Sequence, residues 1–454
     1  MQLQSTIAAT LLLLLAPLSR TLPAEDHAAH QAGGRVMGRV FWQSDNDATI
    51  RYGNLIKGEK WTLESHTIPS FPTIDRDSQS LVQMEAIDDV LVIGVRDAEG
   101  GELASGWVAF SDGGHEEEHG DHTHRRYNDA PKVLASQLDD QQGNPAHLYQ
   151  YDGAFYLAND QNDGFTRLRP DQLRRGEAAA TFFSGGGDHI TLAAVENQIA
   201  YATWIDREGE NAGRIDVVNL RDDQSDDGNY TIHAPTGGLH GATANSGRVF
   251  FAPADGICWV DADTNLSKNE KTAEVHHLSL GSDPDNKKPL RTGAFATAGH
   301  WVLFTSGSSQ ESFLGLIDAA ADQPTVQKLP IETAAGLRLT TPTILETASG
   351  LRMALLFQDC HDGDVQEQLT AINLDPDRDG DFTDAKIVKH IPVGKSKIIG
   401  HGGHHDLCIL PGGRYACVTN PGDGTIWVVS LTRLEVLEKI EVGGVPSRTI
   451  AAQR

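Results

Sequence analysis

Leu148-Tyr149-Gln150-Tyr151-Asp152-Gly153-Ala154-Phe155-Tyr156-Leu157-Ala158-Asn159-Asp160 is a short strand, a tight turn and a second, β-rich strand that ends on Asn and Asp. The same grammar returns in Ala242-Thr243-Ala244-Asn245-Ser246-Gly247-Arg248-Val249-Phe250-Phe251-Ala252-Pro253, and again from Leu407 through Pro411-Gly412-Gly413-Arg414 to Asn420. Further copies start near Leu81, Ile190, Thr292 and Thr343. Units at roughly 40–50-residue spacing are the mark of propeller blades, four-stranded sheets set around a central channel. Residues 36–64 supply strands over 36–41, 48–52 and 60–63 but no convincing fourth, and the tail 445–452 can provide it. The chain therefore reads as all-β, a single β-propeller over 36–454 of about eight blades, seven being the alternative, closed by pairing of its two terminal segments.

Aligned on the first turn of each unit, His147, His189, His240 and His405 all stand at the head of an inner strand. That position faces the channel mouth, so residues distant in sequence are expected to converge on one volume. Taken singly, each imidazole could equally be a hydrogen bond tying neighbouring blades. As a set, they predict a metal site.

A second histidine source lies in 113–126, where four His and four carboxylates crowd into the ten residues from His115 to His124. Neutral imidazole nitrogen suits Zn, Cu, Ni and Fe, whereas the same composition also fits a solvated polar loop. The formal net charge of −26 in 454 residues argues against a nucleic-acid partner and favours attraction of cations. Residues 1–24 read as a secretory signal with its apolar run at 7–18, although Lys and Arg are missing ahead of that run. Cleavage at Ala24 would expose a mobile segment, 25–35, carrying His27 and His30. The remainder offers no stretch for stable membrane insertion.

These residues resemble a known family, the AztD-type periplasmic zinc metallochaperones. The likeness rests on His119-Gly120-Asp121-His122-Thr123-His124 followed by Tyr127 and Pro131, on Pro145-Ala146-His147, on Asn159-Asp160-Gln161-Asn162-Asp163-Gly164, on Gly187-Asp188-His189 and on Gly238-Leu239-His240-Gly241-Ala242. It implies a monomeric, non-enzymatic periplasmic propeller that binds Zn(II) and hands it to the solute-binding protein of a zinc ABC importer. Within that expectation, His122 and His124 close over the channel histidines, and Asp121 orients an imidazole from behind. His115, His119, His27 and His30 form a weaker capture or transfer site.

Other clusters are less decisive. Asp375, Asp377 and Asp379, with Gly380 at the sixth position, match the first half of a calcium loop, but Lys386 stands at the twelfth. A calcium-stabilised turn and an empty acidic turn both fit. Asp359-Cys360-His361-Asp362 reads as a surface turn, and of His404 and His405 only His405 is expected to face inward. Cys408 and Cys417 flank a turn symmetrically and are expected to face each other at a non-hydrogen-bonded position within disulfide reach. Cys258 and Cys360 are either free or paired together. A Ser/His/Asp constellation, a phosphate-cradling Gly loop and a c-type haem CxxCH are all missing from the sequence. The alternative functions are a copper or quinone propeller enzyme and a structural or interaction propeller.

Overall fold

Asp152 and Gly153 both take positive φ, 47° and 75°, the mirror-image turn whose twist matches that of the strands it joins. Tyr151 and Ala154 are thereby set opposite each other, and pairing propagates to Pro145 and Asn159. The next strand, Gly164–Leu168, pairs with Ala154–Asn159, and Ala180–Ser184 completes the ladder. Burial follows position in the sheet: Ala154–Asn159 and Gly164–Leu168 are buried along their whole length, Thr166 and Arg167 included, while Ala180–Ser184 at the outer edge is mostly exposed. Of the two covered strands, Ala154–Asn159 reads as the near-continuous apolar run expected of such a position.

The computed structural model describes residues 34–452 apart from 121, 222–227, 309, 348, 362–363 and 401, and only the backbone of 119, 122 and 123. The expected signal over 1–24, His27, His30 and Asp121 lie outside the described residues. Eight antiparallel sheets follow in order, forming an eight-bladed β-propeller. Their innermost strands are Pro446–Ala451, Gln79–Ile87, Pro145–Tyr151, Leu192–Val195, Ala242–Asn245, Ala296–Ala298, Thr343–Glu346 and Leu407–Ile409. The seventh blade has a broken inner edge, since Leu337–Leu339 and Thr343–Glu346 both pair with Arg352–Cys360.

Closure is as the sequence predicts. Pro446–Ala451 pairs with Arg35–Ser44, so the last strand of the chain is the innermost strand of the first blade. Each of the eight interfaces between neighbouring blades holds one apolar cluster. The closing interface packs Trp42 and Leu55 of the first blade against Cys408, Cys417 and Val428 of the eighth.

Antiparallel pairing also sorts the connections. The heads of the innermost strands share one end of the ring, the entry end, with the links from second to third strands. Links from first to second and from third to fourth strands lie at the other, far end.

Candidate metal centre

Three consecutive blades, the third to the fifth, each bring one histidine to the entry end. His147 lies in Pro145–Tyr151 beside a register shift, and His189 and His240 lie just before Leu192–Val195 and Ala242–Asn245. One ring nitrogen of each lies within 4.8 Å of those of the other two. Ring centroids are 4.6, 5.2 and 6.2 Å apart. All three side chains are half-buried, so the cluster has a wall of protein and an open side.

Hydrogen bonds aim the rings. Nδ1 of His189 donates to Oδ2 of the buried Asp160 at 3.1 Å, and Oδ1 of Asp160 accepts from the Ile190 backbone N–H at 3.1 Å. With Nδ1–H committed, Nε2 of His189 carries the lone pair and accepts from Nε2–H of His147 at 2.9 Å. Nδ1 of His240 donates to the Gly293 carbonyl at 3.2 Å, so Nε2 is the nitrogen it can present to a cation. Burial lowers the His240 pKa, and the neighbouring His189 and Arg291 lower it further against the Gly293 bond. The neutral, metal-ligating form is thus retained into mildly acidic solution.

Tetrahedral zinc with Zn–N bonds near 2.05 Å sets its nitrogens about 3.3 Å apart. A cation would open the His147–His189 contact slightly and take the place of the proton they share. His147, neutral in this arrangement, then carries its proton on Nδ1 and offers Nε2 to the ion.

His405 is not part of this cluster. It packs in the eighth blade against the ring of Phe357 at 5.1 Å, its side chain fully buried. Its Nδ1 is 2.8 Å from Oδ1 of Asp359 and its Nε2 is 3.2 Å from the Gly394 carbonyl. Both nitrogens face acceptors within the protein, so this histidine ties the seventh blade to the eighth. Asp359, expected at a surface turn, is fully buried and also accepts from Nδ1 of His404 at 3.1 Å. Burial raises its carboxyl, but the two histidines more than offset this and hold it below the usual range.

The His-rich segment is a hairpin of strands His115–His119 and His122–Arg126. It is inserted between the third and fourth strands of the second blade, which places its root at the far end of the ring. Asp112 at that root accepts through its carboxylate from Arg125 at 2.6 Å, and its N–H donates to the Asp89 carbonyl of the far-end turn at 2.9 Å. Closure of His122 and His124 over the channel histidines is thus opposed by strand parity. His115 and His124 are exposed, and Glu117, opposite His124, bonds Arg126 at 2.8 Å. Of His119 and His122 the structure gives the backbone position alone.

Asp160 went unrecognised in the sequence, although a signal for it exists. It ends the second strand of its blade, as Asp359 does in the seventh, and in both places the carboxylate takes the histidine at the head of the next blade. Cys408 faces Cys417 as expected, but at a hydrogen-bonded position: the flanking pairs are closed by Leu410 N–H to Tyr415 and Thr419 N–H to Asp406, both 2.9 Å. Cα atoms are farther apart there, about 5.5 Å. No disulfide joins the four cysteines, and Cys258 and Cys360 belong to different blades.

The fold and cluster define a class: an eight-bladed propeller with three convergent imidazoles at the entry end of its channel. No family model and no curated protein matches this chain. Among solved structures it is similar to apo AztD from Citrobacter koseri, with a TM-score of 0.62 and 15% identity over 92% of this chain and 98% of that one. A second structure of Citrobacter koseri AztD gives 0.58 and 16% over the same shares. Dihydro-heme d1 dehydrogenase NirN in complex with DHE gives 0.53 and 12%, over 95% of this chain and 78% of that one. At these identities the likeness is one of fold.

Proposed function

We propose that this propeller binds Zn(II) as cargo at His147, His189 and His240 and passes it to the solute-binding protein of a zinc ABC importer. The observation that carries the reading is the trio of ring nitrogens within 4.8 Å, two of them aimed from behind by Asp160 and the Gly293 carbonyl. Such outer partners are the usual companions of metal-bound histidine. Three protein ligands and an open side suit an ion that is held and then surrendered, because an incoming ligand can take the fourth position before the first three let go. The family resemblance seen in the sequence points to the same cargo and to a periplasmic setting with an N-terminal export signal. Among the described residues no helix is long and apolar enough to cross a membrane. We read the protein as non-catalytic, and assign the exposed histidines His115 and His124, with His119, His122, Asp121, His27 and His30, to a weaker capture role away from the triad.

The test is a competition titration of untagged protein against a zinc chelator. One tightly held zinc per chain is expected, with affinity falling at least about tenfold in His189→Ala. Equal affinity in parent and variant would remove the triad from the site. For transfer, zinc-loaded full-length protein and protein lacking 25–31 are mixed with the apo acceptor. Slower delivery by the truncated form supports a role for the terminal histidines, and equal rates assign delivery to the triad itself.

A further inference from the structure

The loop that links the third strand of the seventh blade, Gln368–Asn373, to its fourth, Lys386–Pro392, carries acidic side chains at 375, 377, 379, 381 and 384. Acidic turns are common, and the sequence leaves this one open between a calcium loop and an empty turn. The structure supplies a discriminating atom. Asp375 is only 3% exposed. Its Oδ2 accepts from Arg352 Nη1 at 3.3 Å and from the Gly380 N–H at 3.2 Å. Its Oδ1 is buried and receives no hydrogen bond from the protein. A buried carboxylate oxygen without a donor is costly, and such an atom calls for a cation or an ordered water.

The surroundings favour a cation. One oxygen each of Asp375, Asp377 and Asp379 lies within 4.8 Å of the others. Calcium binds oxygen at 2.3–2.6 Å, so two ligands on opposite sides of one ion are about 4.6–5.2 Å apart. The three oxygens thus fit a single coordination sphere. Asp384 faces the same group: its carboxyl is raised by desolvation and by the charges of Asp377, Asp379 and Asp375. Gly380 turns the chain with φ 90° at the sixth position, where a calcium loop needs its sharp bend.

We infer that residues 375–384 form a calcium site that clasps the sixth blade to the seventh, at the end of the ring opposite the histidine triad. The clasp is visible in the loop's own contacts. Phe382 is fully buried and stacks on Trp301 of the sixth blade at 5.1 Å, and Trp301 Nε1 donates to the Gly380 carbonyl at 2.9 Å. Fixing the carboxylates around one ion would fix Gly380 and Phe382 against that blade. Magnesium, which demands near-octahedral geometry and dehydrates reluctantly, suits a loop of this reach poorly.

The experiment uses full-length protein stripped with chelator, followed by thermal unfolding with no added metal, about 10 mM CaCl2 or about 10 mM MgCl2. Calcium at a hundredfold excess over a dissociation constant near 10⁻⁴ M should raise the melting temperature of a chain this size by about 3 °C. The rise should survive in His189→Ala and vanish in the double variant Asp377→Asn, Asp379→Asn. Both of these aspartates are exposed, so the double variant keeps the fold. Equal shifts with calcium in the double variant and the parent, or equal shifts with magnesium and calcium, would overturn the assignment, as would no shift with calcium in the parent. The result is independent of zinc binding, because the two sites share no residue.

Discussion

At the scale of single residues, Asp160 and Glu85 carry the sharpest expectations. Asp160 holds the tautomer of His189 and the backbone at the head of the same strand. Asp160→Asn should weaken zinc binding by about 10–100-fold, in the range seen when a carboxylate behind a metal-bound histidine is removed. Chelator competition across pH reads this, and an affinity within twofold of the parent would show that Asp160 serves blade packing alone. Glu85, on the innermost strand of the second blade, is pushed up to about 7 from an ordinary 4.5 by burial and by Asp406, with Arg448 opposing. Between those values the folded protein keeps a proton that the unfolded chain has released, so stability present below pH 4.5 is lost as pH rises through 7. Glu85→Gln stays neutral at every pH. It should melt about 2 °C above the parent at pH 8, on the order of 2 kcal/mol, and level with it near pH 4.5. Coincident melting curves at pH 8 would show that Glu85 ionises without cost. The histidines themselves were legible because repeat position gives them one height in the ring. Their partners were not, since Asp160 and the Gly293 carbonyl meet them through neighbouring blades, which no local pattern records.

Among the elements, the His-rich hairpin departs furthest from its sequence. His115–His119 and His122–Arg126 lack the alternating apolar pattern that announces a strand, so the segment reads as a loop. Cross-strand charge supplies what apolar burial does not: Glu116 lies opposite Arg125, and Glu117 reaches Arg126 at 2.8 Å. Its closure over the channel was an expectation drawn from the family resemblance, and a short motif carries no strand parity. Counting strands from the inner edge puts the hairpin root at the far end, away from His147, His189 and His240. Replacing 115–126 with a short Gly-Ser link should therefore leave the tight zinc affinity within about twofold, while lowering the number of weakly bound ions. A large loss of tight binding in the same titration would bring the hairpin back to the triad.

For the whole molecule, a propeller of about eight blades, with seven as the alternative, and its closing strand were readable because the blades repeat a turn grammar and the first lacks one strand. Which His share a site was not, because ring position and side-chain direction emerge only on closure. Pro446–Ala451 is the piece on which the ring depends: it pairs with Arg35–Ser44 and contributes to the apolar cluster between the first and eighth blades. Deleting 446–454 should abolish the cooperative melting transition and send the protein to the insoluble fraction. A truncated chain that melts at the parent temperature would show that seven complete blades suffice. The same strand also imposes a schedule. At about 5–20 residues per second, some 400 residues separate synthesis of Arg35–Ser44 from that of its inner partner, an interval of roughly 20–80 s. Throughout that interval the first blade presents an unpaired edge to any other nascent strand. The ring therefore closes only after Pro446–Ala451 has been synthesised, and until then Arg35–Ser44 lacks the partner that covers its inner edge.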